Sequence, residues 1–126
     1  AFGSPDGLSF DHQGVLWIQT DVSSSTINKK AYQDMGNNQM VATIPGTNEY
    51  RRFLTGPRGC EITGIAFTPD NRTLFINIQH PGEGGDDITD PANPTAVSSW
   101  PDADPAGRPR SSTVVIVKAD GGMIGT

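Results

Sequence analysis

The sequence predicts an all-β fold, and three observations support this prediction. Apolar and polar residues alternate over short runs, which is typical of half-buried strands. Turn-forming groups such as Pro-Asp-Gly separate these runs, and Gly (15) and Pro (10) are abundant among the 126 residues. Asp outnumbers Glu by eleven to three, a bias that favours turns and loops over helices.

The first predicted unit is a hairpin near the start of the chain. Residues 8–10 alternate in polarity, residues 11–14 form a turn that ends in Gly, and residues 15–20 read as a more buried strand. Two further strands are predicted at 39–44 and 49–54, joined by a Pro-Gly turn. This part of the sequence therefore predicts four consecutive antiparallel strands.

The hairpin pattern recurs later in the chain. The order Gly, apolar, small, Phe, turn, Leu, aromatic, Ile starts at Gly7 and again at Gly64, which is 57 residues further on. Residues 64–67 and 74–78 are the predicted strands of the second hairpin, and 112–118 is a third strand. Residues 123–126 offer at most a weak fourth strand.

Two repeats of four strands with tight turns are the plan of β-propeller blades. We expect one propeller fragment over residues 1–126, with blade-like repeats at 4–58 and 59–126 and a Pro- and Gly-rich loop insertion at 81–109. Propellers have about four to eight blades, so two cannot close a ring. The sequence therefore predicts a truncated part of a longer protein, whose open blade faces pack on the rest of the propeller or drive self-association.

Composition excludes several function classes. A formal net charge of −5 argues against nucleic acid and anionic membranes as main partners. No apolar run approaches the roughly 20 residues of a membrane-spanning helix, and the chain shows no signal-peptide pattern. The single cysteine, Cys60, cannot form an intrachain disulfide.

Three carboxylates are candidate metal ligands. Asp6 and Glu61 come just before the first strands of the two repeats, and Asp21 ends a second strand. Because such positions meet near the channel of a propeller, these side chains would repel each other unless a cation lay between them. Oxygen ligands suit calcium and also iron(III). The alternatives are a turn residue for Asp6, a loop cap for Asp21 and a satisfied edge carboxylate for Glu61.

Other side chains have two interpretations each. Cys60 could bind iron as a thiolate, or it is a small buried apolar residue. His80 could be a ligand or proton donor, or a structural residue bonded to a loop carbonyl. Arg51, Arg52 and Arg58 could contact phosphate through their guanidinium groups, or lie on the surface.

Several segments resemble the PhoX-type alkaline phosphatases of bacteria. The most specific are residues 51–64, Arg-Arg-Phe-Leu-Thr-Gly-Pro-Arg-Gly-Cys-Glu-Ile-Thr-Gly, and Asn-Ile-Gln-His-Pro at 77–81. The resemblance covers nearly the whole chain and is to the C-terminal part of the family. It implies a propeller that hydrolyses phosphate monoesters with calcium and iron, in a longer protein of the periplasm or the secreted fraction. The family also uses a cysteine on iron, which cannot be matched to Cys60.

The leading hypothesis is therefore the C-terminal portion of a metal-dependent alkaline phosphatase. Asp21, Glu61 and Asp6 are its expected metal ligands, and Arg58 is its expected substrate-binding residue. The fragment alone is expected to be inactive, because the other ligands lie outside it. Two alternatives remain open, namely a calcium-dependent, lactonase-like propeller hydrolase and a non-catalytic propeller module.

Overall fold

The computed structural model describes residues 2–84 and 90–126. Within these residues the chain forms seven strands and a single turn of 3-10 helix at Lys30–Tyr32. The strands are β1 (Pro5–Phe10), β2 (Leu16–Thr20), β3 (Gln39–Thr43), β4 (Tyr50–Thr55), β5 (Glu61–Phe67), β6 (Thr73–Gln79) and β7 (Ser112–Val117). The all-β prediction is confirmed, and the described strands coincide with the predicted ones to within a few residues.

The strands form two antiparallel sheets. The first has the order β1-β2-β3-β4, and the second has the order β5-β6-β7. In each sheet the strands pair in chain order. Two of the connections within the sheets are long, residues 21–38 between β2 and β3 and residues 80–111 between β6 and β7, and the others are short turns. The first sheet thus has the four strands expected of a blade.

The second sheet differs from the expected four-stranded blade, because residues 123–126 form a turn and not a strand. Ile124 is buried in the hydrophobic core, and its N–H donates to the carbonyl of Asn71 at 2.8 Å. The turn at Gly121, with φ of +70°, leads the chain towards this core instead of back along β7. Burial of this large apolar side chain stabilises the turn conformation.

The hydrophobic core lies between the two sheets. Its buried members come from both, and they include Trp17 and Met40 from the first sheet and Ile62 and Leu74 from the second. The Trp17 ring packs edge-on against Phe53 of its own sheet, with ring centroids 4.9 Å apart. It also lies 5.5 Å from the ring of Phe67 in the second sheet. The two sheets therefore share one core.

The connection from β6 to β7 is long and contains no described strand. The middle of the insertion predicted at 81–109, residues 85–89, lies outside the described residues. In the described part, Trp100 packs against the core, and Arg110 forms two hydrogen bonds of 2.9 Å with the carboxylate of Asp102. The end of the connection is thus anchored close to the start of β7.

Candidate active site

The predicted carboxylates come together at one end of the two sheets. The start of β1 pairs with the end of β2, and Glu61 at the start of β5 pairs with Gln79 at the end of β6. Asp21 directly follows β2 and His80 directly follows β6. Asp6 and Glu61 were expected just before their strands. Instead, Asp6 is the second residue of β1 and Glu61 is the first residue of β5.

Glu61 is the centre of this group. Its side chain is only 14% exposed. Burial raises the pKa of Glu61, and the nearby charges of Asp21 and Asp6 raise it further, although His80 opposes them. Glu61 is therefore within electrostatic range of both other carboxylates, and a cation beside Glu61 would relieve this repulsion.

His80 lies between two carboxylates. Its Nε2 is 3.5 Å from Oε2 of Glu61, and its Nδ1 is 3.4 Å from Oε2 of Glu83. Nδ1 is also 3.0 Å from the carbonyl oxygen of Gly59, and the backbone N–H donates to Oγ of Ser111. His80 is thus bonded to a loop carbonyl, as the structural interpretation expected, while it also faces Glu61.

The surroundings of His80 act on its pKa in opposite directions. Burial lowers the pKa of His80, but the hydrogen bond to the Gly59 carbonyl and the charges of Glu83 and Glu61 outweigh burial. The net shift is upward from 6.5, so the site favours the imidazolium form more than water does.

A pocket of about 560 Å³ opens beside this group. Asp21, His80 and Glu83 line it together with two cationic side chains, Arg58 and Lys29. Arg58 is exposed, but its carbonyl accepts a hydrogen bond of 2.8 Å from the N–H of Gly82, which fixes its backbone. An anionic ligand in this pocket could therefore meet both cations and the acidic group.

The other two candidate arginines lie elsewhere. Arg51 and Arg52 are exposed on β4 and are not part of the pocket lining. Arg51 pairs with the carboxylate of Glu49, and Arg52 donates to the carbonyl of Met35 at 3.3 Å. The surface interpretation of both residues fits these contacts.

Asn38 is a site residue that the sequence analysis missed. Its side chain is buried, and its Oδ1 accepts a hydrogen bond of 2.7 Å from the N–H of Val22. Its Nδ2 donates to the carbonyls of Val22 and Cys60, at 3.1 and 3.0 Å. Asn38 therefore holds the residue after Asp21 and the residue before Glu61 in fixed positions.

Cys60 belongs to the core. It is 2% exposed, and burial together with the neighbouring charge of Glu61 raises the pKa of its thiol to about 12. The Cys60 thiol also lies against the Ile62 side chain of the core, as the packing at Gly56 shows. These observations favour the interpretation of Cys60 as a small buried apolar residue.

The donor set fits a metal only in part. Carboxylate oxygens are suitable ligands for calcium and for iron(III). However, among residues 2–84 and 90–126 no three His, Cys, Asp or Glu side chains lie close enough together to hold an ion. The described residues can therefore provide some of the ligands of a metal centre but not a complete site.

Residues 1–82 match the family described as Alkaline phosphatase PhoX. The chain belongs to this family. A solved structure, Pseudomonas fluorescens PhoX in complex with vanadate, a transition state analogue, is also similar, with 50% sequence identity and a TM-score of 0.81. The match covers 96% of this chain and 19% of that chain, so this chain spans about a fifth of the length of that PhoX. No curated protein matches the chain.

The PhoX assignment confirms the resemblance found in the sequence. It also confirms the fold class, because the two antiparallel sheets correspond to a fragment of a PhoX structure with a β-propeller-like fold. In the part of the chain that the structure describes, no helix has the length and apolar character needed to cross a membrane.

Proposed function

We propose that this chain is the C-terminal portion of a metal-dependent alkaline phosphatase that hydrolyses phosphate monoesters. The observation that carries the proposal is the electrostatic coupling of Glu61 to Asp21 and Asp6 beside a pocket lined by Arg58, in a chain of the PhoX family. We further propose that the fragment alone is inactive, because its own side chains provide only part of a metal site.

Asp21, Glu61 and Asp6 would contribute oxygen ligands to calcium or iron(III). When bound, these metals supply positive charge that neutralises the phosphoryl oxygens during displacement. The remaining ligands would come from the rest of the propeller, which is the expected partner of this fragment. By resemblance to the family, the longer protein would work in the bacterial periplasm or after secretion.

Arg58 is the proposed substrate-binding residue. A guanidinium group can donate two parallel hydrogen bonds to a phosphoryl group, which fixes its orientation as well as its position. The backbone of Arg58 is held by Gly82, and its exposed side chain lines the pocket. This chain would therefore bind and orient the phosphate ester from one side of the site.

The proposal can be tested on the longer parent protein, purified without chelators. Elemental analysis is combined with hydrolysis of p-nitrophenyl phosphate at alkaline pH. We expect bound calcium and iron, and we expect Glu61→Gln and Asp21→Asn to lower activity more than about 100-fold, beyond the range of outer-shell changes. The matched control is Glu49→Gln, since this carboxylate is 64% exposed and pairs with Arg51 on the surface.

Three outcomes would contradict the proposal. Calcium without iron and without phosphatase activity would favour a lactonase-like hydrolase. Absence of any tightly bound metal from the parent would favour a non-catalytic module. Unchanged activity and metal content in both site variants would remove Asp21 and Glu61 from the metal centre.

A further inference from the structure

Asp21 and Glu61 belong to different sheets, so the distance between them depends on how the sheets are joined. Asp21 follows β2 of the first sheet, and Glu61 begins β5 of the second. Apolar side chains of both sheets pack in the shared core, but apolar contacts are not directional. Hydrogen bonds are directional, and bonds next to the two carboxylates would therefore fix this distance more closely.

Asn38, at the end of the connection from β2 to β3, makes the first of these bonds between the sheets. Its Oδ1 accepts hydrogen bonds of 2.9 and 2.7 Å from Thr20 and Val22, the residues on either side of Asp21. Its Nδ2 donates to the carbonyls of Val22 and Cys60 at 3.1 and 3.0 Å. A side-chain amide has two donor hydrogens and two acceptor lone pairs, so these four bonds use its whole capacity. Asn38 therefore acts as a bridge and has no capacity left for a ligand.

Gln19 in β2 makes a second bond between the sheets. Its side chain is fully buried, and its Nε2 donates to the carbonyl of Gly64 in β5 at 3.0 Å. Gly64 has φ of +65° and lies where the pairing of β5 with β6 shifts its register. Irregularities of this kind change the direction of neighbouring side chains on a strand. Gln19 thus holds β5 at its irregularity, three residues after Glu61.

The other end of the Gln19 amide is unfavourable for stability. Its Oε1 is buried and has no hydrogen-bond partner among the described residues, which destabilises a fold. Gly7 lies opposite Gln19 on β1, and a Cβ there would be 2.5 Å from Oε1, so the glycine leaves room for the amide. Met has a similar length and no such oxygen. Stability alone therefore does not account for a glutamine at this position.

We propose that Asn38 and Gln19 are positioning residues that together form a clamp, which sets the distance between Asp21 and Glu61 for a cation bound by both. The two amides hold the backbone on both sides of Glu61, through the carbonyl just before it and the carbonyl three residues after it. Both act through the backbone and not as ligands. The inference rests on the proposed function, because it requires that the two carboxylates bind metal.

The test compares the longer parent protein with its Gln19→Met and Asn38→Ala variants. Each protein is dialysed against increasing concentrations of EDTA, and the calcium and iron that remain are measured by elemental analysis. We expect the EDTA concentration that removes half of the metal to fall about tenfold or more in both variants, as is usual when a group that orients a metal ligand is lost.

Asn37→Ala is the matched control. Asn37 directly precedes Asn38, and its Nδ2 also donates to a carbonyl of the connection between the sheets, that of Gly56 at 2.9 Å. This carbonyl is next to neither carboxylate. The control should therefore keep its metal at the same EDTA concentrations as the unchanged protein.

Two measurements on the metal-free 126-residue chain separate positioning from stability. Gln19→Met should leave the urea midpoint unchanged or raise it, because it removes the unpartnered Oε1. Hydrogen exchange at the N–H of Val22, which donates to Oδ1 of Asn38, should become faster in Asn38→Ala but not in Asn37→Ala. A purely structural role of Gln19 would instead lower the urea midpoint together with metal retention.

Three results would overturn the clamp and leave the proposed function in place. One is unchanged metal retention in both Gln19→Met and Asn38→Ala. Another is a lowered urea midpoint in Gln19→Met, which would make Gln19 an ordinary part of the fold. The third is an equal loss of metal in Asn37→Ala. An unchanged parent protein that holds neither calcium nor iron would overturn the proposed function, and the clamp with it.

Discussion

Asp11 shows how a single buried carboxylate can stabilise a turn. It lies in the turn between β1 and β2, and its oxygens accept hydrogen bonds of 2.8 to 3.0 Å from the backbone of Gln13 and Val15 and from the Trp17 indole. Burial raises the pKa of Asp11, but these hydrogen bonds to the ionised form outweigh burial, and the net shift is downward from 3.8.

The lowered pKa predicts how stability depends on pH at this residue. Because the folded-state pKa lies below the unfolded value near 3.8, ionised Asp11 contributes stability above about pH 4 and loses it as the pH falls through the folded-state pKa. Urea unfolding of the unchanged chain and of Asp11→Asn should therefore show a constant difference in free energy near neutral pH. The difference should shrink below about pH 4.

The exposed Asp34 provides a control for this experiment. Asp34→Asn should leave the pH profile of the unfolding free energy close to that of the unchanged chain. A difference for Asp11→Asn that stays constant down to about pH 2 would show that ionisation of Asp11 does not stabilise the fold.

Three carboxylates of the candidate site could be placed near each other from the sequence, whereas Asn38 and Glu83 could not. Asp6, Asp21 and Glu61 stand at strand starts and ends, and these positions follow from the hairpin pattern. Asn38 has bonding partners 16 and 22 residues away, so its role depends on how separate segments pack. The contact of Glu83 with His80 depends on a loop conformation that no periodicity predicts.

Among the elements, the connection between the two sheets is the one that positions the site. Gly59 in this connection has φ of +72°, and a Cβ there would lie 2.6 Å from the backbone nitrogen of Glu83 and against its carbonyl oxygen. The Gly59 carbonyl also contacts the ring of His80. Close approach of two backbones at a glycine therefore places Glu83 beside His80, whose ring also faces Glu61.

Two glycine substitutions can separate backbone strain from this close approach. Gly14 also has a positive φ, of +83°, but nothing lies within 4 Å of a Cβ added there. Gly14→Ala should cost about 1–2 kcal/mol of unfolding free energy from the left-handed conformation alone. Gly59→Ala should cost at least about 1 kcal/mol more, because the Glu83 backbone must also move. Equal losses in urea unfolding would contradict the packing described for Gly59.

The seven strands could be predicted because each has a clear period and is bounded by turn residues. The structure was predicted less well where tertiary contacts decide the path of the chain. Residues 123–126 contain one large apolar residue, and only the shared core reveals that Ile124 is drawn into it. The irregular register around Gly64 is visible in the pairing of β5 with β6, and it could not be predicted from the sequence.

At the scale of the whole molecule, the two sheets share their main hydrophobic core, in which Trp17 contacts aromatic rings of both. The first sheet also buries Ile18 and Val41, which are outside this shared core. Loss of either sheet would expose the side of the shared core that the other sheet contributes. We therefore expect the chain to unfold in one cooperative step.

Cooperativity can be measured in a Trp100→Phe background, where Trp17 is the remaining tryptophan. Urea transitions followed by Trp17 fluorescence and by far-ultraviolet circular dichroism should coincide. Ile62→Ala, which creates a cavity on the second-sheet side, should lower stability by about 2–5 kcal/mol and shift both transitions together. Two separate transitions would show that the sheets fold independently.

The long connection between β6 and β7 also determines how the chain can be cut. Between Arg72 and Arg108 the sequence contains no Lys or Arg, and Arg108 is followed by Pro109, a bond that trypsin does not cleave. Even complete tryptic digestion would therefore leave residues 73–110 as a single peptide, which joins β6 to all of the connection except Ser111. A protease specific for acidic residues would cut the same connection at several places, so the two enzymes give complementary fragments for mapping this side of the pocket.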